Sequence, residues 1–70
     1  METFHLEEHD YVELCDLLKL QGWTESGAAA KNMIAEGLVS VDGEIETRKR
    51  CKIVAGKVVT FGDFTVSVSK

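Results

Sequence analysis

The chain has 70 residues, of which 44% are hydrophobic and 29% charged, and its formal net charge at pH 7 is −4. This length predicts one domain over residues 1–70, and the composition is typical of a folded chain rather than a disordered one. No apolar run approaches the roughly 20 residues that a membrane-spanning helix requires, so we expect no membrane partner.

The chain opens with an acidic segment, residues 1–9. This segment contains Glu2, Glu7 and Glu8 but no Lys or Arg, which is the wrong charge for a signal or transit peptide. We therefore expect a cytoplasmic protein. The alternation of Phe4 and Leu6 indicates a short strand here.

The next element is predicted to be a helix that begins at Asp10 and ends at Gly22. The Asp10 carboxylate can accept hydrogen bonds from free N–H groups, and Glu13 stands three residues later, as in a capping box. Gly22 can adopt the left-handed conformation that commonly ends a helix. Apolar residues at spacings of three, four and seven share one face of this helix: Tyr11, Leu14, Cys15 and Leu18.

Two cysteines raise the question of a disulfide or a metal site. Cys15 and Cys51 have no secretory context and form no Cys-x-x-Cys pair, so we interpret both as reduced, with Cys15 buried. His5 and His9 would complete the residue types of a zinc site, but both precede the predicted helix and neither cysteine has a short-range partner. We expect no metal and no cofactor.

Trp23 follows the first helix directly and allows two interpretations. The favoured one is that its ring closes over the apolar face of the helix as core or semi-core packing. The other is that it serves as a platform on which an RNA base stacks.

A second helix is predicted from Thr24 or Ser26, both good N-caps, to Gly37. Its inward face is apolar, whereas its outward face has small side chains with one cation and one amide: Ala28, Lys31, Asn32 and Ala35. The free N–H groups near Ser26 and Gly27 favour an anion. The plain alternative is that the alanines here only favour helix.

From Val39 the hydrophobic period becomes two, which predicts strands. Val39 and Val41 lead into an Asp42-Gly43 turn, and Ile45 continues the return strand of a half-buried hairpin. Residues 47–55 show no regular hydrophobic period and are expected to form a loop or a short turn of helix. Two further strands are predicted, one over residues 58–61 and one over residues 64–69, with a Gly62-Asp63 turn between them.

Four cations collect just after the hairpin: Arg48, Lys49, Arg50 and Lys52. Residues 1–25 contain one base against seven acids, while residues 26–70 contain seven bases against five acids. A local concentration of cations in an acidic protein indicates an anion-binding face, and RNA phosphate is the anion that we expect. A solvated charged loop is the alternative.

The residues taken together resemble the αL RNA-binding domain, also called S4-type after its ribosomal protein. The likeness spans Leu14 to about Phe61. It rests on LCDLLKL at 14–20, the Ser26 helix, the Val-x-Val-Asp-Gly hairpin at 39–43 and ETRKRCKIVAG at 46–56, and it is strongest with short stand-alone bacterial members. The resemblance implies an α+β fold, in which two short helices pack on a small, mostly antiparallel twisted sheet of about three to five strands.

The resemblance also implies binding of structured RNA, with ribosomal RNA as a candidate, by the second helix and the loop around residues 47–52. Two positions depart from the family pattern. Gly27 stands where many members have a base, and Lys57 stands where many have an acid, so one expected phosphate contact is lost and one cation is added. The residues expected to bind RNA are Ser26, Gly27, Lys31, Asn32, Arg48, Lys49, Arg50, Lys52 and Lys57.

The sequence contains no Gly-rich phosphate loop and no histidine adjacent to a cysteine, so we expect no enzyme and no small-molecule substrate. Recognition of RNA shape rather than RNA sequence is expected, since few exposed planar groups are available. A monomer is expected because no heptad pattern is present. The competing hypothesis is a protein–protein adaptor, ribosome-associated, that docks its acidic first-helix face on a basic partner.

Overall fold

The computed structural model describes residues 2–70 and arranges them in strands and two helices. The elements in chain order are β1 (Glu2–His5), β2 (Val12–Glu13), α1 (Leu14–Leu20), α2 (Gly27–Ala35), β3 (Val39–Val41), β4 (Glu44–Ile45), β5 (Lys52–Ile53), β6 (Val58–Phe61) and β7 (Phe64–Ser69). Neither helix is long and apolar enough to cross a membrane within the described residues.

Five of the strands form one sheet in the order β1-β7-β6-β3-β4. Strands β7, β6, β3 and β4 pair antiparallel, and β1 joins the edge parallel to β7, with Phe4 opposite Val68. The predicted N-terminal strand is therefore confirmed. Two short helices on a mostly antiparallel sheet confirm the predicted α+β class.

The core lies between the helices and one face of this sheet. Side chains alternate across a strand, so the buried residues of β3, β6 and β7 all point to the helices. The fully buried core residues are Leu6, Leu14, Cys15, Leu17, Leu18, Ala30, Ile34, Val39, Ile53, Val59, Val66 and Val68. Cys15 is buried, as predicted, and both cysteines are free.

The predicted start of the first helix at Asp10 is wrong. Helix α1 begins at Leu14, and Glu13 is its N-cap residue without any side-chain capping bond. The reason is non-local: Val12 and Glu13 pair antiparallel with Ile53 and Lys52 in a second, two-stranded sheet. That pairing requires an extended backbone where the capping pattern favours helix, and it leaves Tyr11 exposed instead of in the apolar stripe.

Both helices end as the glycines predict. Gly22 and Gly37 have φ angles of 76° and 79°, in the left-handed region. In each case the N–H groups of the glycine and of the next residue return to carbonyls of the last turn, as in a Schellman motif. Ser26 caps α2, and its hydroxyl accepts a hydrogen bond from the N–H of Ala29 at 3.1 Å.

The Asp42-Gly43 turn is also confirmed. Both residues have positive φ, 51° and 85°, which is the geometry of a type I′ turn. The hairpin is half-buried, as predicted: β3 is buried at Val39 and partly buried beyond it, whereas β4 is exposed, with Ile45 68% exposed. Residues 47–51 form the expected loop and turn, but Lys52 and Ile53 are a strand rather than part of the loop.

Candidate nucleic-acid interface

The predicted RNA-binding residues of the second helix lie on its first two turns. Ser26 is the N-cap and Gly27 is the first helical residue. Lys31 and Asn32 are exposed, as the outward face predicts. The start of α2 therefore presents free N–H groups together with one lysine and one amide, an arrangement that suits phosphate.

The other predicted cations, apart from Lys57, lie on residues 47–52, which we call the basic loop. Two main-chain hydrogen bonds fix this loop on the first turn of α1. The N–H of Leu14 donates to the carbonyl of Cys51 at 2.9 Å, and the N–H of Cys15 donates to the carbonyl of Lys49 at 3.1 Å. Because the backbone faces the helix, the charged side chains of the loop point into solvent.

Arg48 is held by Glu46 in a bidentate pair. Its Nε and Nη2 atoms donate to the two carboxylate oxygens at 2.9 and 3.0 Å, and its backbone N–H donates to the same carboxylate at 3.0 Å. These bonds lower the pKa of Glu46 to about 2 and raise the pKa of Arg48. The side chain of Arg48 remains 76% exposed, so it still has donors free for a ligand.

Two further predicted cations are also in ion pairs. Arg50 reaches Glu13 at 3.2 Å, which ties the basic loop to the start of α1. Lys57 lies 3.2 Å from Asp42. The carboxylate of Asp42 also accepts from the N–H of Val58, and this bond, followed by that of Lys57, lowers the pKa of Asp42. The sequence reasoning missed all of these acidic partners.

The remaining predicted cations have no carboxylate partner within residues 2–70: Lys31, Lys49 and Lys52. Lys52 places its ammonium 5.0 Å from the centroid of the Tyr11 ring. The positive charge available to a ligand is therefore carried mainly by lysines. Hydrogen bonds and ion pairs between the α2 residues and the basic loop do not occur in the described part of the chain.

A cavity of about 420 Å³ brings the hairpin and the basic loop together. Arg48, Lys52 and Lys57 line it, so the structure gathers three of the predicted residues around one concavity. Acidic and apolar side chains complete the lining, among them Glu46 and Ile45. In the same region, burial and the nearby carboxylate of Glu46 raise the pKa of the Cys51 thiol, which keeps it protonated.

The residue types of the zinc site considered from the sequence do not come together as a group. Instead, Glu13, Cys15 and Asp16 bring ligand atoms within 4.8 Å of one another in the described residues. Glu13 is already paired with Arg50 and Cys15 is buried in the core, so we assign no metal to this group.

Trp23, Phe61 and Phe64 form a triangular cluster of three nearly parallel rings that we call the aromatic platform. Their centroids are 5.6 to 6.5 Å apart, and their interplanar angles are 22° to 28°. Trp23 and Phe61 are partly buried against the core, which confirms semi-core packing for Trp23. Phe64 is 52% exposed, so the cluster also reaches the surface.

A wider groove of about 780 Å³ separates the segment after β1 from α1. Its lining includes apolar side chains such as Leu6 and Val12. Its acidic residues are Glu8, Asp10, Glu13 and Asp16. We call this concavity the acidic groove, and it contains the face that the adaptor hypothesis invokes.

Comparison with known proteins gives a consistent result. The family model for the S4 domain matches residues 4–69. Two bacterial proteins are 66% identical over 68 residues, covering 97% of this chain and 97% of each relative: "Putative RNA-binding protein YbcJ" of Escherichia coli strain K12 and "Uncharacterized protein YbcJ" of Shigella flexneri. The solution structure of Escherichia coli YbcJ, described as revealing an αL motif involved in RNA-binding, is similar with a TM-score of 0.77 and 64% identity, covering 100% of this chain and 89% of that one.

Proposed function

The chain belongs to the S4 domain family, and we propose that it is a non-catalytic RNA-binding protein. It recognises structured RNA through the basic loop and the start of α2. The residues that carry this role are those expected from the sequence: Ser26, Gly27, Lys31, Asn32, Arg48, Lys49, Arg50, Lys52 and Lys57.

The observation that best supports this function is the way in which the basic loop is fixed. Its main chain is hydrogen-bonded to the first turn of α1 through Lys49 and Cys51. Its cations therefore project from a rigid support, which lowers the entropy lost on binding. Phosphates spaced along an RNA helix suit such a fixed set of donors, and contacts to them carry shape information rather than sequence information.

The proposal also covers the RNA target, the oligomeric state and the compartment. Ribosomal RNA is the proposed target, and the protein acts as a monomer in the cytoplasm, associated with the ribosome. The acidic total charge supports a selective encounter, because most of the surface repels RNA while one face attracts it.

The test is a fluorescence-anisotropy titration of labelled ribosomal RNA fragments at about 50 and 200 mM salt, where each phosphate contact contributes about 0.7 to 0.9 to the salt slope. The variant carries Lys49→Glu, which reverses one charge on the basic loop. Its matched control is Lys19→Glu, which reverses one charge at an exposed lysine that lines the acidic groove. We expect tight, salt-sensitive binding by the wild type and the control, and a large loss in the variant. No binding by a folded wild type at the lower salt contradicts the proposal.

A second candidate function is favoured by the acidic groove. Its apolar and acidic lining suits a basic segment of a protein partner. Charge reversal separates this adaptor function from RNA binding at residues that contact only one of the two sites. The adaptor needs Glu8 and Asp16 and tolerates changes at Lys49, whereas RNA binding has the opposite requirement. Glu13 does not discriminate, because it also pairs with Arg50 of the basic loop.

A further inference from the structure

The aromatic platform is not used by the phosphate contacts described above. We propose that it stacks an unpaired nucleobase of the bound RNA, an inference that rests on the proposed function. The platform then supplies a contact that a regular duplex cannot make, because paired bases are stacked within the helix.

The first argument is the exposure of Phe64. In the hairpin of β6 and β7, Phe61 pairs with Phe64 next to the Gly62-Asp63 turn, and Val59 pairs with Val66 two residues further from that turn. Residues two apart share a face of a strand, so both phenylalanines lie on the core side of the sheet. The valines are fully buried, whereas Phe64 is 52% exposed. The platform therefore continues the core to the surface and ends in an open aromatic ring.

The second argument is geometric. The ring planes lie within 28° of one another, with the Trp23 and Phe64 centroids 5.6 Å apart. The three centroids are 5.6 to 6.5 Å from one another, so the rings lie at the corners of a triangle with nearly parallel planes, and a nucleobase is a flat aromatic group of comparable size. Stacking on such side chains is a general mode of binding to single-stranded bases.

The third argument is continuity with the proposed interface. Trp23 lies in the connection between the helices, where its N–H donates to the carbonyl of Leu18 at 3.0 Å. Ser26, the N-cap of α2, follows three residues later, and three residues span at most about 11 Å. A strand whose phosphate lies at the start of α2 can thus place a neighbouring base on the platform.

The fourth argument concerns the charge beside the exposed ring. Asp63 directly precedes Phe64, is exposed and is in no ion pair within the described residues. Its carboxylate disfavours a phosphate on the ring itself, whereas the face of a neutral base does not meet that repulsion.

The experiment compares an RNA hairpin that has an unpaired adenine loop with a closed duplex of the same stem. Phe64→Leu removes the ring but keeps an apolar side chain, and Phe64→Tyr keeps the ring as the matched control. We expect Phe64→Leu to weaken hairpin binding at least about fivefold, the lower end for one base–aromatic stack, with duplex binding and salt slope unchanged. Phe64→Tyr should bind like the wild type. Because the chain has one tryptophan, emission of Trp23 should also change on saturation with the hairpin.

Three results would overturn the inference. One is equal hairpin affinity for Phe64→Leu and the wild type. Another is an equal loss for hairpin and duplex with reduced thermal stability, which would make the ring purely structural. The third is unchanged Trp23 emission at saturation. If the folded wild type binds neither RNA, the proposed function itself fails, and that result is distinct from the other three.

Discussion

Substitution of Glu46 by Gln separates the two roles of the Arg48 ion pair. The carboxylate of Glu46 holds Arg48 through two side-chain hydrogen bonds and neutralises its charge. Gln has the same shape but no charge, so Arg48 becomes a free cation beside the RNA. We therefore expect Glu46→Gln to bind RNA more tightly and to be less stable than the wild type.

The magnitudes follow from the contacts. One additional free cation steepens the plot of log affinity against log salt by about 0.7 to 0.9. When the salt falls from about 200 to 50 mM, the affinity of the variant should therefore rise by a factor about three times larger than that of the wild type. The ion pair stabilises the folded protein only modestly, because the Arg48 side chain is 76% exposed, although its bidentate geometry strengthens it.

Anisotropy titrations across this salt range and urea unfolding at pH 7 measure the two effects. Glu7→Gln is the matched control, because it makes the same charge change at an exposed residue just after β1. That strand lies at the opposite edge of the sheet from β4, four strand spacings or about 19 Å away, beyond the Debye length of about 10 Å at 0.1 M salt. An unchanged or shallower salt slope for Glu46→Gln would refute the reasoning, since it would mean that Arg48 does not contact phosphate or that Glu46 must orient it.

Three further predictions concern stability. The pKa of Glu46 is lowered from 4.5 to about 2. The charged carboxylate therefore contributes its full stabilisation above about pH 4.5 and loses it as the pH falls through 2. Urea titrations should show the stabilities of the wild type and Glu46→Gln converging at that low pH. Gly43→Ala should lower the free energy of unfolding by about 1 kcal/mol through backbone strain alone. The reason is that φ of Gly43 is 85°, while an added methyl group meets nothing within 4 Å. A larger loss would indicate a contact in the turn. Ile53→Val should cost about 0.5 to 1.5 kcal/mol by calorimetry, and a neutral result would mean that this side chain, 1% exposed, is not closely packed.

The second helix shows what could be predicted from sequence. Its end at Gly37 and the exposure of Lys31 and Asn32 were predicted from signals within a few residues, and its N-cap, Ser26, is one of the two caps that the sequence offered. The Asp42-Gly43 turn was predicted for the same reason. The identity of the candidate interface residues also came from sequence, since a cluster of cations is visible without a structure.

The pairing of those cations could not be predicted. Arg50 and Glu13 are 37 residues apart, and Lys57 and Asp42 belong to different strands or turns. The start of α1 was wrong because β2 pairs with β5, and nothing near Asp10 shows that pairing. Both errors concern contacts between segments that are distant in the chain.

The sequence alone determined where both helices end at their C-termini, the hairpin turn, the alternation of side chains along the strands and the presence of a local basic cluster. These depend on the conformational preferences of single residues and on hydrogen bonds within one turn. The tertiary structure decided which cations are neutralised, how the basic loop is fixed on α1 and where the three aromatic rings meet. These depend on how distant segments pack in three dimensions, since the distance between two charges or two rings is set by the fold rather than by their separation along the chain.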